Sequence, residues 1–156
     1  MNSKLSITIA SNESFCGKKI IHKLSCNPSW ICNSCSDVNS FLINPNKFPA
    51  TDVLVLYYDF NTLTPVEDLI ELFRKNFGKV KILCVVPEDF ILFTKNILLE
   101  PNVIDIIRTS PILMDMIWNH MVNIHKEYKL EKRLVAIEDK ACFITNSPKM
   151  EKVNYL

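Results

Sequence analysis

Short apolar runs alternate with amphipathic stretches from Leu5 to about Tyr128, and this alternation carries most of the architectural information in the chain. Leu5 to Ala10 (LSITIA) alternates apolar and small polar residues with the period of two expected of a strand, then meets the polar turn Ser11-Asn12-Glu13. Phe15, Ile20, Ile21 and Leu24 recur at helical spacing. Trp30 to Cys32 predicts a short second strand. Val38, Phe41 and Leu42 predict a short helix that Asn44-Pro45-Asn46 stops.

Asp52 to Tyr58 (DVLVLYY) is a continuous apolar run, the pattern of a strand buried on both faces of a parallel sheet. The next helix has a start signal with a mechanism. Thr64 is placed to cap free amides, Pro65 suits the first helical position, and Glu67 completes a capping box. Its stripe is Val66, Leu69, Ile70, Phe73 and Phe77, with Gly78 as the expected C-cap. Val80 to Val86 reads as a fourth strand ended by Pro87, with Glu88 or Asp89 opening another helix. Val103 to Ile107 reads as a fifth strand. Ser110-Pro111 opens a last helix with the stripe Leu113, Met116, Ile117, Met121 and Ile124.

Five strands alternating with five helices require crossover connections, so the expected fold is α/β, a doubly wound five-stranded parallel sheet with helices on both faces. Residues 1–128 form this domain. Residues 129–156 look different: a charged stretch, then apolar segments Leu134 to Ile137 and Ala141 to Thr145 flanking Glu138-Asp139-Lys140. The expectation there is a C-terminal extension, a small β-hairpin or a linker.

Composition narrows the functional classes. The chain has 156 residues and 48% hydrophobic content, enough for one buried core. With 18 basic and 17 acidic residues, the net charge of +1 gives no global attraction to nucleic acid. No run approaches the length of a membrane span, and the amino terminus lacks a signal-peptide core, so a cytoplasmic protein with its 6 cysteines as thiols is expected. Only 2 glycines occur, which argues against glycine-rich phosphate loops. Ser11 to Gly17 (SNESFCG) joins a strand to a helix as a phosphate-binding loop does, but Glu13 would repel an anion there. No cofactor is expected.

Four places in this frame carry a family resemblance: Ser11-Asn12-Glu13 after the first strand, Cys35-Ser36-Asp37-Val38 after the second, the run DVLVLYYDF (52–60) in the third, and Ser110-Pro111 after the fifth. In order and spacing, Lys4 to Tyr128 resembles the receiver domain of bacterial response regulators, the chemotaxis-regulator type. The resemblance implies a flavodoxin-like sheet of order 2-1-3-4-5. It also implies a pocket at the carboxyl edge where paired acids hold Mg²⁺, a third-strand aspartate takes a phosphoryl group, and a switch hydroxyl and a lysine respond to it.

This chain departs from that pattern at every role. Ser11 and Asn12 stand where the paired acids belong, Tyr57 where the acceptor belongs, Val85 where the hydroxyl belongs, and Ser110 where the lysine belongs. A hard cation needs oxygen donors, usually carboxylates. Glu13 and Asp59 are the nearest acids, and the alternative role for both is that of solvated loop residues. The expectation is a pseudo-receiver with a degenerate pocket comprising Ser11, Asn12, Glu13, Tyr57, Asp59, Val85 and Ser110. It would act as a non-catalytic regulatory module in two-component signal transduction.

Two other constellations bear on function. Cys32 and Cys35, with Cys26 and His22 upstream, offer thiolates and an imidazole to zinc, or a dithiol for redox chemistry. A zinc- or thiol-dependent protein is therefore the rival reading, although only one tight knuckle is present. Cys16, Cys84 and Cys142 are scattered, as core filler is. His120 lies on the apolar side of the last helix, and no acid and nucleophile complete a triad with any histidine. Trp118, Val122 and His125 face away from the last helix's stripe and form a candidate docking flank, because tryptophan is enriched at interface hot spots. A protein partner is expected, including a second copy through the last helices. A further alternative is the regulatory part of a transcription regulator whose output domain lies outside this chain.

Overall fold

In the computed structural model, the described residues are 4–59, 62–88 and 95–145, with the side chains of 14, 66, 95, 96 and 138–145 left aside. The strands are β1 (Leu5–Ser11), β2 (Trp30–Cys35), β3 (Val53–Tyr57), β4 (Lys81–Val86) and β5 (Val103–Arg108). The helices are α1 (Ser14–Leu24), α2 (Val38–Ile43), α3 (Val66–Asn76) and α4 (Leu113–Thr145), with 3-10 turns at Pro45–Lys47 and Lys95–Leu99. All strand pairs are parallel and the order is β2-β1-β3-β4-β5. This is the doubly wound sheet the alternation predicts.

Both faces of the sheet are apolar because the central strands have no solvent side. Every residue of β3 is buried, and all but the first of β4. On one face Ala10, Leu54, Leu56, Ile82 and Cys84 pack with Phe41 of α2, Leu69 and Phe73 of α3, and Phe77 just after α3. The remaining parity brings Ile7, Ile9, Val53, Val55, Leu83 and Val85 to the other face, where Ile20 and Leu24 of α1 are fully buried. The edge strand β2 is longer than Trp30 to Cys32 and only its ends are buried.

Polar side chains tie the amino-terminal rim of the sheet. Asp52 Oδ2 accepts from Ser6 N at 2.9 Å, and the Thr8 and Thr51 hydroxyls meet at 2.6 Å. Asn102 Nδ2 donates to the carbonyls of Phe77 at 2.7 Å and Val80 at 3.2 Å. Arg74 holds the buried Glu100 with two bonds of 2.9 Å, joining α3 to the turn before β5.

Several local expectations are corrected. Thr64 does not cap α3: the cap position is Pro65, without a side-chain bond, and the Thr64 carbonyl is taken by the Tyr58 hydroxyl. Gly78 is not in the left-handed region, and Phe77 is the C-cap. α4 begins at Leu113, where the Ser110 hydroxyl accepts from Ile112 N. The predicted opening of a helix at Asp89 falls outside the described residues. The expected hairpin or linker after Tyr128 is instead a continuation of α4 to Thr145. The physical reason is a sequence rich in Leu, Glu, Lys, Arg and Ala with neither Gly nor Pro between Ile112 and Ser147, so nothing stops the helix.

The chain divides into two compact units, 1–119 and 120–156. In the first, the rings of Trp30 and Trp118 lie 4.7 Å apart. In the second, the rings of His125 and Tyr128 are 6.2 Å apart.

Candidate functional site

Parallel pairing aligns Ser11 with Tyr57 and Tyr57 with Val85, so these three residues form one row across the carboxyl edge of the sheet. Partners in a parallel ladder share a face, here the α1 face. Ser11, Tyr57 and Val85 are all buried. The row therefore consists of a hydroxyl, a phenol and an isopropyl group.

The loop after β1 is built to start α1. Ser11 Oγ donates to the Glu13 carbonyl at 2.8 Å and accepts from Glu13 N at 3.1 Å. Glu13 is the N-cap, its two carboxylate oxygens accepting from Phe15 N at 2.7 Å and Cys16 N at 3.2 Å. A negative group there complements the free amides and dipole of the first turn. Asn12 Oδ1 accepts from Val38 N at 3.0 Å, linking this loop to α2. Asp37, in the turn after β2, caps α2 by accepting from Ser40 N at 3.1 Å. Asp59 is 7% exposed and its carboxylate receives the Thr62 hydroxyl at 3.4 Å, while Thr62 Oγ1 accepts from Asp59 N at 3.2 Å.

Glu13, Tyr57 and Ser110 come together in lining a cleft of about 360 Å³, with Cys16, Lys19, Thr109 and Met114. Lys19 carries no sequence signal of its own, because the apolar stripe of α1 does not tell which of the lysines beside it reaches the cleft. It lies six residues after Glu13 on the same helix, with its ammonium 4.7 Å from the centre of the Phe15 ring. The cleft thus carries one carboxylate, one ammonium and several hydroxyls. Burial, with Glu13 nearby, pushes the Cys16 thiol up to about 11, so it stays protonated at neutral pH and is a poor nucleophile.

The zinc or dithiol constellation does not assemble. Cys32 and Cys35 both lie in β2, three residues apart, and odd spacing in a strand sends side chains to opposite faces. Cys26 Sγ donates to the His22 carbonyl within the turn after α1. Burial raises both the Cys32 and Cys35 thiols above their ordinary value, which disfavours thiolate. Among the described residues no group of three or more His, Cys, Asp and Glu gathers about a common point.

The docking flank is also rearranged. Trp118 is half-buried with its ring on Trp30, Val122 is half-buried, and His125 is buried at 6% exposure. Lys23 adds its ammonium 5.5 Å from the Trp118 ring centre. None of the three forms an exposed flank. No helix among the described residues is long and apolar enough to cross a membrane.

Solved structures supply the comparison. A Francisella response regulator receiver domain superposes with a TM-score of 0.62 at 17% identity, over 80% of this chain and 98% of that one. This chain has the receiver fold. A response regulator receiver domain protein from Clostridium thermocellum matches with a TM-score of 0.62 at 14% identity, over 81% and 98% of the two chains. The response regulator RcsB, solved as a complex with DNA, matches the receiver fold with a TM-score of 0.61 at 13% identity, over 80% of this chain and 61% of RcsB. No protein-family model and no curated protein sequence matches the chain.

Proposed function

We propose that this receiver fold serves as a non-catalytic signalling module that takes no phosphoryl group at its carboxyl edge and acts through protein contacts in the cytosol. The observation that carries the reading is the row Ser11–Tyr57–Val85. An acyl phosphate needs a carboxylate beside a divalent cation, and that cation needs clustered negative oxygens. The row contributes none. The Glu13 carboxylate is committed to the amides of α1, and Asp59 is bonded to Thr62. Two residues beyond β5, Ser110 brings a hydroxyl where a phosphoryl-binding ammonium would be needed. Among the described residues the donor set does not fit Mg²⁺.

The test is incubation of the full chain with Mg²⁺ and acetyl phosphate, read by intact mass. No phosphoryl adduct is expected, and beryllofluoride should leave the near-ultraviolet spectrum unchanged. An adduct that Asp59→Asn abolishes would overturn the reading.

A second reading has the same module governing an output domain in a longer chain. It is favoured by the match to RcsB, of which this chain covers 61%. The balanced charge argues that any nucleic-acid contact would belong to that output domain.

A further inference from the structure

The sheet order β2-β1-β3-β4-β5 changes direction between β1 and β3. Helix α1 leaves β1 for one face and α3 leaves β3 for the other, which opens a crevice outside the carboxyl ends of the two strands. The cleft bearing Glu13, Lys19, Tyr57 and Ser110 lies there: Glu13 follows β1, Tyr57 ends β3 and Ser110 follows β5. Its volume of about 360 Å³ falls within the roughly 300–1,000 Å³ usual for small-molecule sites. The crevice of the fold is therefore kept, although the groups for phosphoryl chemistry are not.

Its lining offers two donors. Among the described residues no ion pair takes up the Lys19 ammonium, which stands 4.7 Å from the centre of the Phe15 ring. The Ser110 hydroxyl accepts from Ile112 N at 3.3 Å, which leaves its own proton to be donated to another oxygen. An ammonium and a hydroxyl suit an anionic pair of oxygens. Beside them the cleft has an apolar side, with Phe15, at 66% exposure, and Pro111, Leu113 and Met114. A guest lying over Phe15 would remove that apolar surface from water.

Charge sets how many negative groups the guest carries. The lining holds one positive group, Lys19, and one negative group, Glu13, while burial keeps Cys16 protonated. The oxygens of Glu13 are turned to the amides of Phe15 and Cys16. A single carboxylate is matched by Lys19. A dianion such as phosphate would bring a second charge that no described residue of the lining offsets.

We infer that the cleft is a binding site for a small organic monocarboxylate with an apolar body, its carboxylate at Lys19 and Ser110 and its body against Phe15 and Met114. This rests on the function proposed above and deepens it, by naming what the altered edge holds in place of a phosphoryl group.

Amide NMR of the full, nitrogen-15-labelled chain tests it, with phenylacetate and hexanoate as separate probes. Saturable shifts are expected at Phe15, Lys19, Thr109 and Ser110, with a dissociation constant in the millimolar range or tighter. The uncharged phenylacetamide and the variant Lys19→Gln should each weaken binding by roughly threefold to tenfold, whereas Lys19→Arg retains it. Ser110→Trp, on the loop after β5, should block the cleft with the cation still in place. No saturable shift with either acid, or binding indifferent to both Lys19→Gln and Ser110→Trp, overturns the inference. Inorganic phosphate that shifts the same amides more tightly than either acid would assign the cleft to phosphate instead. A chain that refuses both acids and acetyl phosphate loses this inference alone, whereas a phosphoryl adduct at Asp59 removes the reading beneath it.

Discussion

The carboxylate of Glu13 accepts a hydrogen bond from the backbone amide of Phe15 at 2.7 Å, turning an acid just beyond the end of β1 onto its own helix. Cap replacement by alanine typically costs about 1 kcal/mol. Glu13→Ala should lower stability by that amount in urea denaturation, and Glu13→Gln by less, since an amide oxygen still accepts. Equal losses would mean that charge, not the acceptor, holds the turn.

Burial pushes the Cys84 thiol from 9.0 up to about 12. The folded state therefore keeps a proton that the unfolded chain releases above pH 9. This contribution is fully present below pH 9 and is lost as pH rises towards 12, with a slope of up to about 1.4 kcal/mol per pH unit. Cys84→Ala should flatten that part of the stability profile. Identical slopes in the two proteins would refute the assignment.

The chain has two tryptophans, and both belong to the 4.7 Å ring pair of Trp30 with Trp118. Such pairs contribute about 0.5–1.5 kcal/mol beyond their buried area. A double-mutant cycle with Trp30→Phe and Trp118→Phe should yield a coupling energy towards the lower end of that range. The near-ultraviolet tryptophan signal should change when either ring is replaced.

Ala136 lies within α4, in the stretch expected to form a hairpin or linker. Proline inside a helix costs about 3 kcal/mol or more locally. Ala136→Pro should reduce the far-ultraviolet helical signal while leaving the cooperative unfolding of the sheet in place. An unchanged spectrum would argue against a continuous helix there.

The sheet was legible because its central strands are uninterrupted apolar runs, as in Val53 to Tyr57, and because turns such as Asn44-Pro45 separate the elements. The resemblance added the strand order. What escaped were features that depend on competition between local and tertiary bonds. Thr64 fits a capping box, yet the Tyr58 hydroxyl engages its carbonyl and Pro65 takes the cap position. Glu138-Asp139-Lys140 between two apolar segments imitates a turn, although no residue there breaks a helix. At the candidate site, Ser11, Tyr57 and Ser110 could be placed from strand ends alone. Lys19 could not, because its position in the cleft depends on how α1 lies beside the sheet.

The knots made by Asp52, Thr51, Asn102 and the Arg74–Glu100 clamp all lie away from the cleft, several of them at the opposite rim. They fasten the strand starts to one another as a keel fixes the ribs of a hull. Register is thus secured without help from the loops that bear Glu13, Asp59 and Ser110. Those loops are consequently free to be rewritten, by mutation or by design, while the sheet keeps its alignment.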